Sequence, residues 1–130
     1  MKKLFVSVVF VSLLAACGGG GTEKKADEST PAATKTDELS DNPDYQKGLA
    51  ITAKSDCFTC HKIDEKNIGP AWRDVANKYA GMDTAINYLA NKIKNGGSGV
   101  WGEVPMAAHP NLSDEDLKAV AKYVLLLKNK

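Results

Sequence analysis

Beyond Asp41 the apolar positions recur with a helical period and never alternate as a strand would. Tyr45, Leu49 and Thr52 or Ala53 share one face of a segment that Asn42 caps and Pro43 opens, and it stops near Lys54 or Ser55 just before Cys57. Trp72, Val75, Ala76 and Tyr79 repeat at i, i+3, i+4 and i+7 after Pro70, with Gly81 as the stop. Ile86, Leu89, Ala90 and Ile93 repeat the spacing in a segment starting at Asp83 and halted by Asn95-Gly96-Gly97. Ser113 caps the last segment, with Asp114, Glu115 and Asp116 in its first turn. Leu117, Val120, Ala121, Val124 and Leu127 form its stripe to about Lys128. These four helical segments predict an all-α domain over residues 43–130.

Before that domain the pattern changes character. Lys2 and Lys3 precede an apolar run from Leu4 to Ala16, shorter than the roughly 20 residues that span a bilayer. Residues 1–16 therefore predict an export signal. The run ends Leu14-Ala15-Ala16-Cys17, which resembles the lipobox of bacterial lipoproteins and implies lipidation of Cys17. Plain signal cleavage with an incidental Cys17, and a retained membrane helix, are the alternatives. Residues 17–42 open with Gly18 to Gly21 and then carry Thr, Glu, Lys, Asp and Ala with almost nothing large and apolar. They predict a flexible tether with a reach of roughly 25–30 Å. The whole implies an exported chain on the periplasmic side of a bacterial membrane, anchored by lipid.

The formal net charge of +1 excludes the basic footprint of a nucleic-acid binder. Three cysteines, one of them stranded at position 17, do not form a disulfide framework. Cys57-Phe58-Thr59-Cys60-His61 carries the chemistry. Two thiols at this spacing can each add to one haem vinyl group, with His61 then beneath the iron. A thioredoxin-like pair would need a βαβ setting, and a structural zinc site would need a fourth ligand and usually a second Cys pair. A disulfide across two residues would be strained. One covalent haem c is the expectation.

A proximal histidine needs an acceptor for its other ring nitrogen. Ile68-Gly69-Pro70 offers the Pro70 carbonyl, unless that stretch is a mere turn. For the sixth position, Met106 stands in a proline-stiffened loop 45 residues after His61. His109 or an open site are the other possibilities. Ligation by His61 and Met106 closes the iron to substrate and raises its potential relative to stronger donors. That favours electron transfer, with no catalytic residue. A haem enzyme or gas sensor with a labile sixth ligand is the alternative.

Ile68-Gly69-Pro70-Ala71-Trp72-Arg73-Asp74-Val75-Ala76, Ile93-Lys94-Asn95-Gly96, Gly99-Val100-Trp101-Gly102 and Val104-Pro105-Met106 follow the Cys-x-x-Cys-His run. In that order they resemble the short bacterial class I cytochromes c. The resemblance implies a class I cytochrome c fold, about four helices wrapped around one haem. It implies electron delivery to a terminal oxidase or nitrite reductase, or exchange with a quinol:cytochrome reductase. It favours the haem-side role of Pro70. It implies that Gly48 and Tyr123 meet where the first and last helices cross, and that the Trp101 indole bonds a haem propionate; a core aromatic is the alternative for Trp101. Trp72 is expected in the core. Lys62, Lys92 and Lys94 are candidate docking charges or plain surface lysines. Two departures stand out. The path from the first helix to Cys57 is a few residues longer than in the shortest members. Ala107-Ala108-His109 also replaces the Pro-Pro-Asn whose Asn bonds the Met sulfur. Two roles stay open for His109: taking over that bond, or approaching the iron if Met106 is lost.

Overall fold

The structure, a computed structural model, describes residues 39–129. Cys17, the N-terminal apolar run and most of the tether lie outside them. The described residues form helices α1 (Pro43–Lys54), α2 (Cys57–Cys60), α3 (Trp72–Tyr79), α4 (Ala85–Asn95) and α5 (Asp114–Leu126). A hairpin of β1 (Gly97–Gly99) and β2 (Gly102–Met106) sits between α4 and α5.

The helix starts follow from local chemistry. Asn42 is extended, and its side-chain oxygen accepts from the amides of Asp44 at 2.9 Å and Tyr45 at 3.1 Å. Pro43 has no N–H to leave orphaned. Ser113 Oγ accepts from the Asp116 amide at 3.1 Å, and three acidic residues occupy the first turn of α5. Two ends differ from expectation. α4 begins at Ala85 rather than Asp83, because the Met82 and Ala85 amides bond the carbonyls of Tyr79 and Met82 and spend those residues on a turn. α5 ends at Leu126 rather than Lys128: the Leu127 amide turns back onto Val124 O, and Arg73 Nη1 donates to Leu127 O at 2.6 Å.

α1 lies across α5, and the seam is built on a missing side chain. A Cβ on Gly48 would stand 2.3 Å from Tyr123 Cβ and 2.5 Å from Ala119 O. The inward face of α1 is therefore Tyr45, Gly48 and Thr52, while Leu49 is half-buried and Ala53 is exposed. Thr52 is fully buried and donates its hydroxyl to Gly48 O. Ion pairs Lys47–Glu115 and Lys122–Asp44 join the two helices at the surface. Exposed pairs of this kind contribute about 0–1 kcal/mol each, so the apolar seam dominates.

The core divides in two. One cluster gathers Tyr45, Cys57, Trp72, Val75, Ala76, Tyr79, Ala85, Leu89, Tyr123, Val124 and Leu127. The other holds Ala90, Ile93, Leu117 and Val120, with Met106 packed against it. Two elements carried no periodic signal. α2 is a single turn, and the hairpin pairs Gly97 with Met106 and Gly99 with Gly102 around an irregularity.

Candidate haem site

Asp56 adopts the left-handed conformation at φ 56°, which short polar side chains tolerate, and turns the chain sharply from α1 into α2. The single turn of α2 then sets Cys57 and Cys60 on the same side, three residues apart. Cys57 is buried, Cys60 is half-buried, and both thiols are free. Burial pushes the Cys57 thiol up from its ordinary value, and the Asp56 carboxylate adds to the rise. A redox-active pair needs an easily formed thiolate, so burial of the Cys57 thiol does not favour that reading. Among the described residues no group of three or more His, Cys, Asp or Glu side chains could hold a metal ion by itself.

His61 leaves α2 in an extended conformation, its amide bonded to Cys57 O. Its Nδ1 lies 2.8 Å from the Pro70 carbonyl. A carbonyl can only accept, so Nδ1 carries the proton and Nε2 keeps its lone pair. That is the state of an imidazole ready to bind a metal. The connecting loop is tied down at each step. The Gly69 amide donates to Cys60 O at 2.9 Å, Trp72 N to Lys62 O at 3.0 Å and Arg73 N to Ile63 O at 2.9 Å. Asn67 Nδ2 reaches Thr59 O at 3.1 Å. Gly69 lies flat against the imidazole: a Cβ there would be 2.4 Å from His61 Cε1.

Met106 arrives from another part of the chain. It ends β2, is half-buried, and rests on the second apolar cluster. Gly96 makes this approach possible. It caps α4 at φ 65°, and a Cβ there would be 2.3 Å from Met106 O, so only glycine suits both the angle and the space. Beyond Met106, the His109 amide bonds Ile93 O at 3.0 Å. Cys57, Cys60, His61 and Pro70 thus form one compact unit beside the first cluster, and Met106 is presented from the second.

Trp101 sits on the hairpin turn, 39% exposed, so it is not a core aromatic. Lys78 Nζ lies 5.3 Å from its ring centroid. Its neighbour Tyr79 is buried, and burial together with Tyr88 raises that hydroxyl to about 12 although Trp101 acts to lower it. Lys62 pairs with Glu65 at 3.1 Å and Lys94 with Asp114 at 2.8 Å, while Lys92 is half-buried on α4. Trp72 is where sequence reasoning fell short. It is buried as expected, but its ring also stacks on His61 at 5.6 Å and 18°. The helical period marked the burial and carried no sign of the partner.

The donors fit one covalently held haem. Two free thiols share a turn, an imidazole keeps Nε2 free, a glycine leaves no bulk against that ring, and a thioether comes from a separate loop. The comparisons agree. The cytochrome c family profile matches residues 45–128. Cytochrome c-552 of Nitrosomonas europaea is 50% identical over 83 residues, 64% of this chain and 81% of that protein. Cytochrome c-551 of Pseudomonas aeruginosa is 51% identical over 73 residues, 55% of this chain and 68% of that protein. The crystal structure of wild-type Nitrosomonas europaea cytochrome c552 superposes with a TM-score of 0.59 at 49% identity, covering 62% of this chain and 99% of that one. The chain belongs to the cytochrome c family, as a short class I member that carries one covalent haem c and serves as a small electron carrier rather than an enzyme.

Proposed function

We propose that this chain is a membrane-tethered carrier that passes single electrons on the periplasmic side of a bacterial membrane, with Cys57 and Cys60 bonded to the haem and His61 and Met106 as axial ligands. Bound haem supplies a one-electron ferric/ferrous couple; the chain's own residues decide where it sits and what reaches it. The observation that carries this reading is the 2.8 Å contact between His61 Nδ1 and the Pro70 carbonyl, which leaves Nε2 for the iron. Pro70 fixes the tautomer of the imidazole and raises its basicity. Met106, presented by Gly96 and the hairpin, would supply a thioether ligand and leave the iron no open position for substrate. Trp101, exposed on the hairpin turn, is the residue we assign to a haem propionate. Phe58 and Ile68 stand exposed beside the Cys-x-x-Cys-His unit and give a redox partner an apolar landing for a brief contact.

Partners of the class expected are a terminal oxidase or nitrite reductase as acceptor and a quinol:cytochrome reductase as donor. The apolar run before Cys17 supports export and lipidation. No described helix is long and apolar enough to cross a membrane. Two experiments test the reading. The ferric protein should show the weak far-red sulfur-to-iron band, and Met106→Ala should lose it and let the ferrous protein bind carbon monoxide. Carbon monoxide binding by the unaltered ferrous protein at neutral pH would instead favour an enzyme or sensor. Full-length protein should partition into detergent, and Cys17→Ser should not; equal partitioning would refute the lipid anchor.

A further inference from the structure

We propose that Trp72 is a positioning residue that sets the plane of the His61 imidazole and couples it to the α1/α5 seam. The proposal rests on His61 being an axial ligand. A single hydrogen bond from Nδ1 to Pro70 O fixes one point of the ring and leaves it free to swing about that contact. Two groups limit the swing. Gly69 lies against Cε1, and the Trp72 indole stacks on the ring with centroids 5.6 Å apart and planes within 18°. Stacking restrains the tilt that the hydrogen bond leaves open.

Trp72 can set a plane because its own is set. It is 5% exposed and opens α3, with its amide on Lys62 O at 3.0 Å. Phe58 meets it edge-on at 4.9 Å and 62°, and Tyr123 at 5.7 Å and 84°. Tyr123 then packs on Tyr45 at 5.1 Å and is the side chain that Gly48 was left bare to receive. A continuous aromatic row therefore runs from the helix crossing to the imidazole. Tyr123 is buried with its hydroxyl unpartnered among the described residues, so it acts in this row by shape alone.

The plane of an axial imidazole sets the direction of its π overlap with the metal, and so the pattern of paramagnetic shifts on the haem methyls. A residue that only fills the core would not govern that pattern. The test compares Trp72→Phe and Trp72→Leu in the haem-loaded full chain by three readouts. The far-red sulfur band should persist in both, since Met106 lies elsewhere. The ferric methyl-shift order should change in Trp72→Leu and return toward wild type in Trp72→Phe. Exchange of the ferrous His61 Nδ1 proton, measured against the Tyr123 amide as a monitor of global opening, should quicken by about 3- to 10-fold in Trp72→Leu, as losing a stacked aromatic pair implies. An unchanged methyl order, with the His61 proton moving only in step with the Tyr123 amide, would overturn the proposal. If Trp72→Leu does not fold, Trp72→Met takes its place and is read by the same rule, an altered methyl order supporting the proposal and an unchanged one overturning it. Wild-type spectra without axial imidazole resonances would instead overturn the ligand assignment, and the proposal with it.

Discussion

Gly48→Ala adds one methyl group where the fold has left none. The new Cβ would stand 2.3 Å from Tyr123 Cβ and 2.5 Å from Ala119 O, against ordinary contact beginning at 3.4 Å. The shortfall for the first contact, 3.4 minus 2.3, is about 1 Å. Neither obstacle can swing aside. One is the first side-chain atom of a fully buried tyrosine and the other is helix backbone, so α1 and α5 must part. A gap of that size forfeits roughly a quarter to a half of each dispersion contact along the seam. Overpacking of a tight core costs about 1–3 kcal/mol, and the rigid neighbours place this site at the upper end. Disturbing the Tyr45–Tyr123 pair adds about 0.5–1.5 kcal/mol. Against this, alanine returns about 1 kcal/mol of helix propensity over glycine.

The net expectation is a loss of about 2–3 kcal/mol, or roughly 10–20 °C in melting temperature for a domain of this size. Urea titration of the haem-loaded protein, followed by far-ultraviolet circular dichroism and by Soret absorbance, measures it. The midpoint should fall while the slope stays the same. Ala50→Gly on the exposed face of α1 is the control, because it changes propensity without touching the seam and should cost only about 1 kcal/mol. A Gly48→Ala protein as stable as wild type, or more so, would refute the reasoning, since propensity would then have outweighed the clash.

Four further outcomes follow from the same structure. Gly69→Ala presses on Cε1 of the ring that Pro70 holds, so it should shift the reduction potential and weaken the His61 Nδ1–Pro70 bond, seen as faster exchange of that ring proton. The Tyr79 hydroxyl, raised to about 12 by burial and by Tyr88, binds its proton more tightly folded than unfolded. Its stabilisation is complete below the unfolded value of about 10 and lost as pH rises through 10 to 12; Tyr123 shifts in the same direction, so urea midpoints should fall across that window and hold steady from 7 to 9. Removing the haem should leave a largely unfolded or molten chain, and a native-like cooperative melt of the apo protein would contradict this. Asn42→Ala removes the acceptor for the Asp44 and Tyr45 amides and should cost about 1 kcal/mol in the same urea assay, while Asn42→Ser should restore most of it.

What could be read in advance divides by the kind of signal each residue gives. Helix caps act over three or four residues, so Asn42 and Ser113 marked their helices correctly. Apolar periodicity reports burial, and the stripes of α3 and α5 are buried as expected. Neither signal reports a partner. The inward face of α1 centres on Gly48 rather than Leu49, because hydrophobicity cannot mark a residue whose contribution is the absence of a side chain. The hairpin escaped for a related reason. Its residues are almost all exposed, and its pairing exists to deliver Met106 rather than to bury a face.

The same division explains how the site is assembled. Cys57, Cys60 and His61 are neighbours in sequence, and one turn of helix suffices to group them. Everything that gives the imidazole its state lies further along the chain. Pro70 holds Nδ1, Gly69 clears the ring, and Trp72 lies along its face. Met106 is held by different elements again, through Gly96 and the second apolar cluster. A haem bonded between these two units would bridge two small cores built on the same two helices, α4 supplying Leu89 to one and Ile93 to the other, and α5 supplying Tyr123 and Leu117. Cofactor and fold are therefore one cooperative structure. Loosening either unit should shift the potential and the melting point together, whereas a change confined to an exposed lysine such as Lys62 should move neither by more than a small amount.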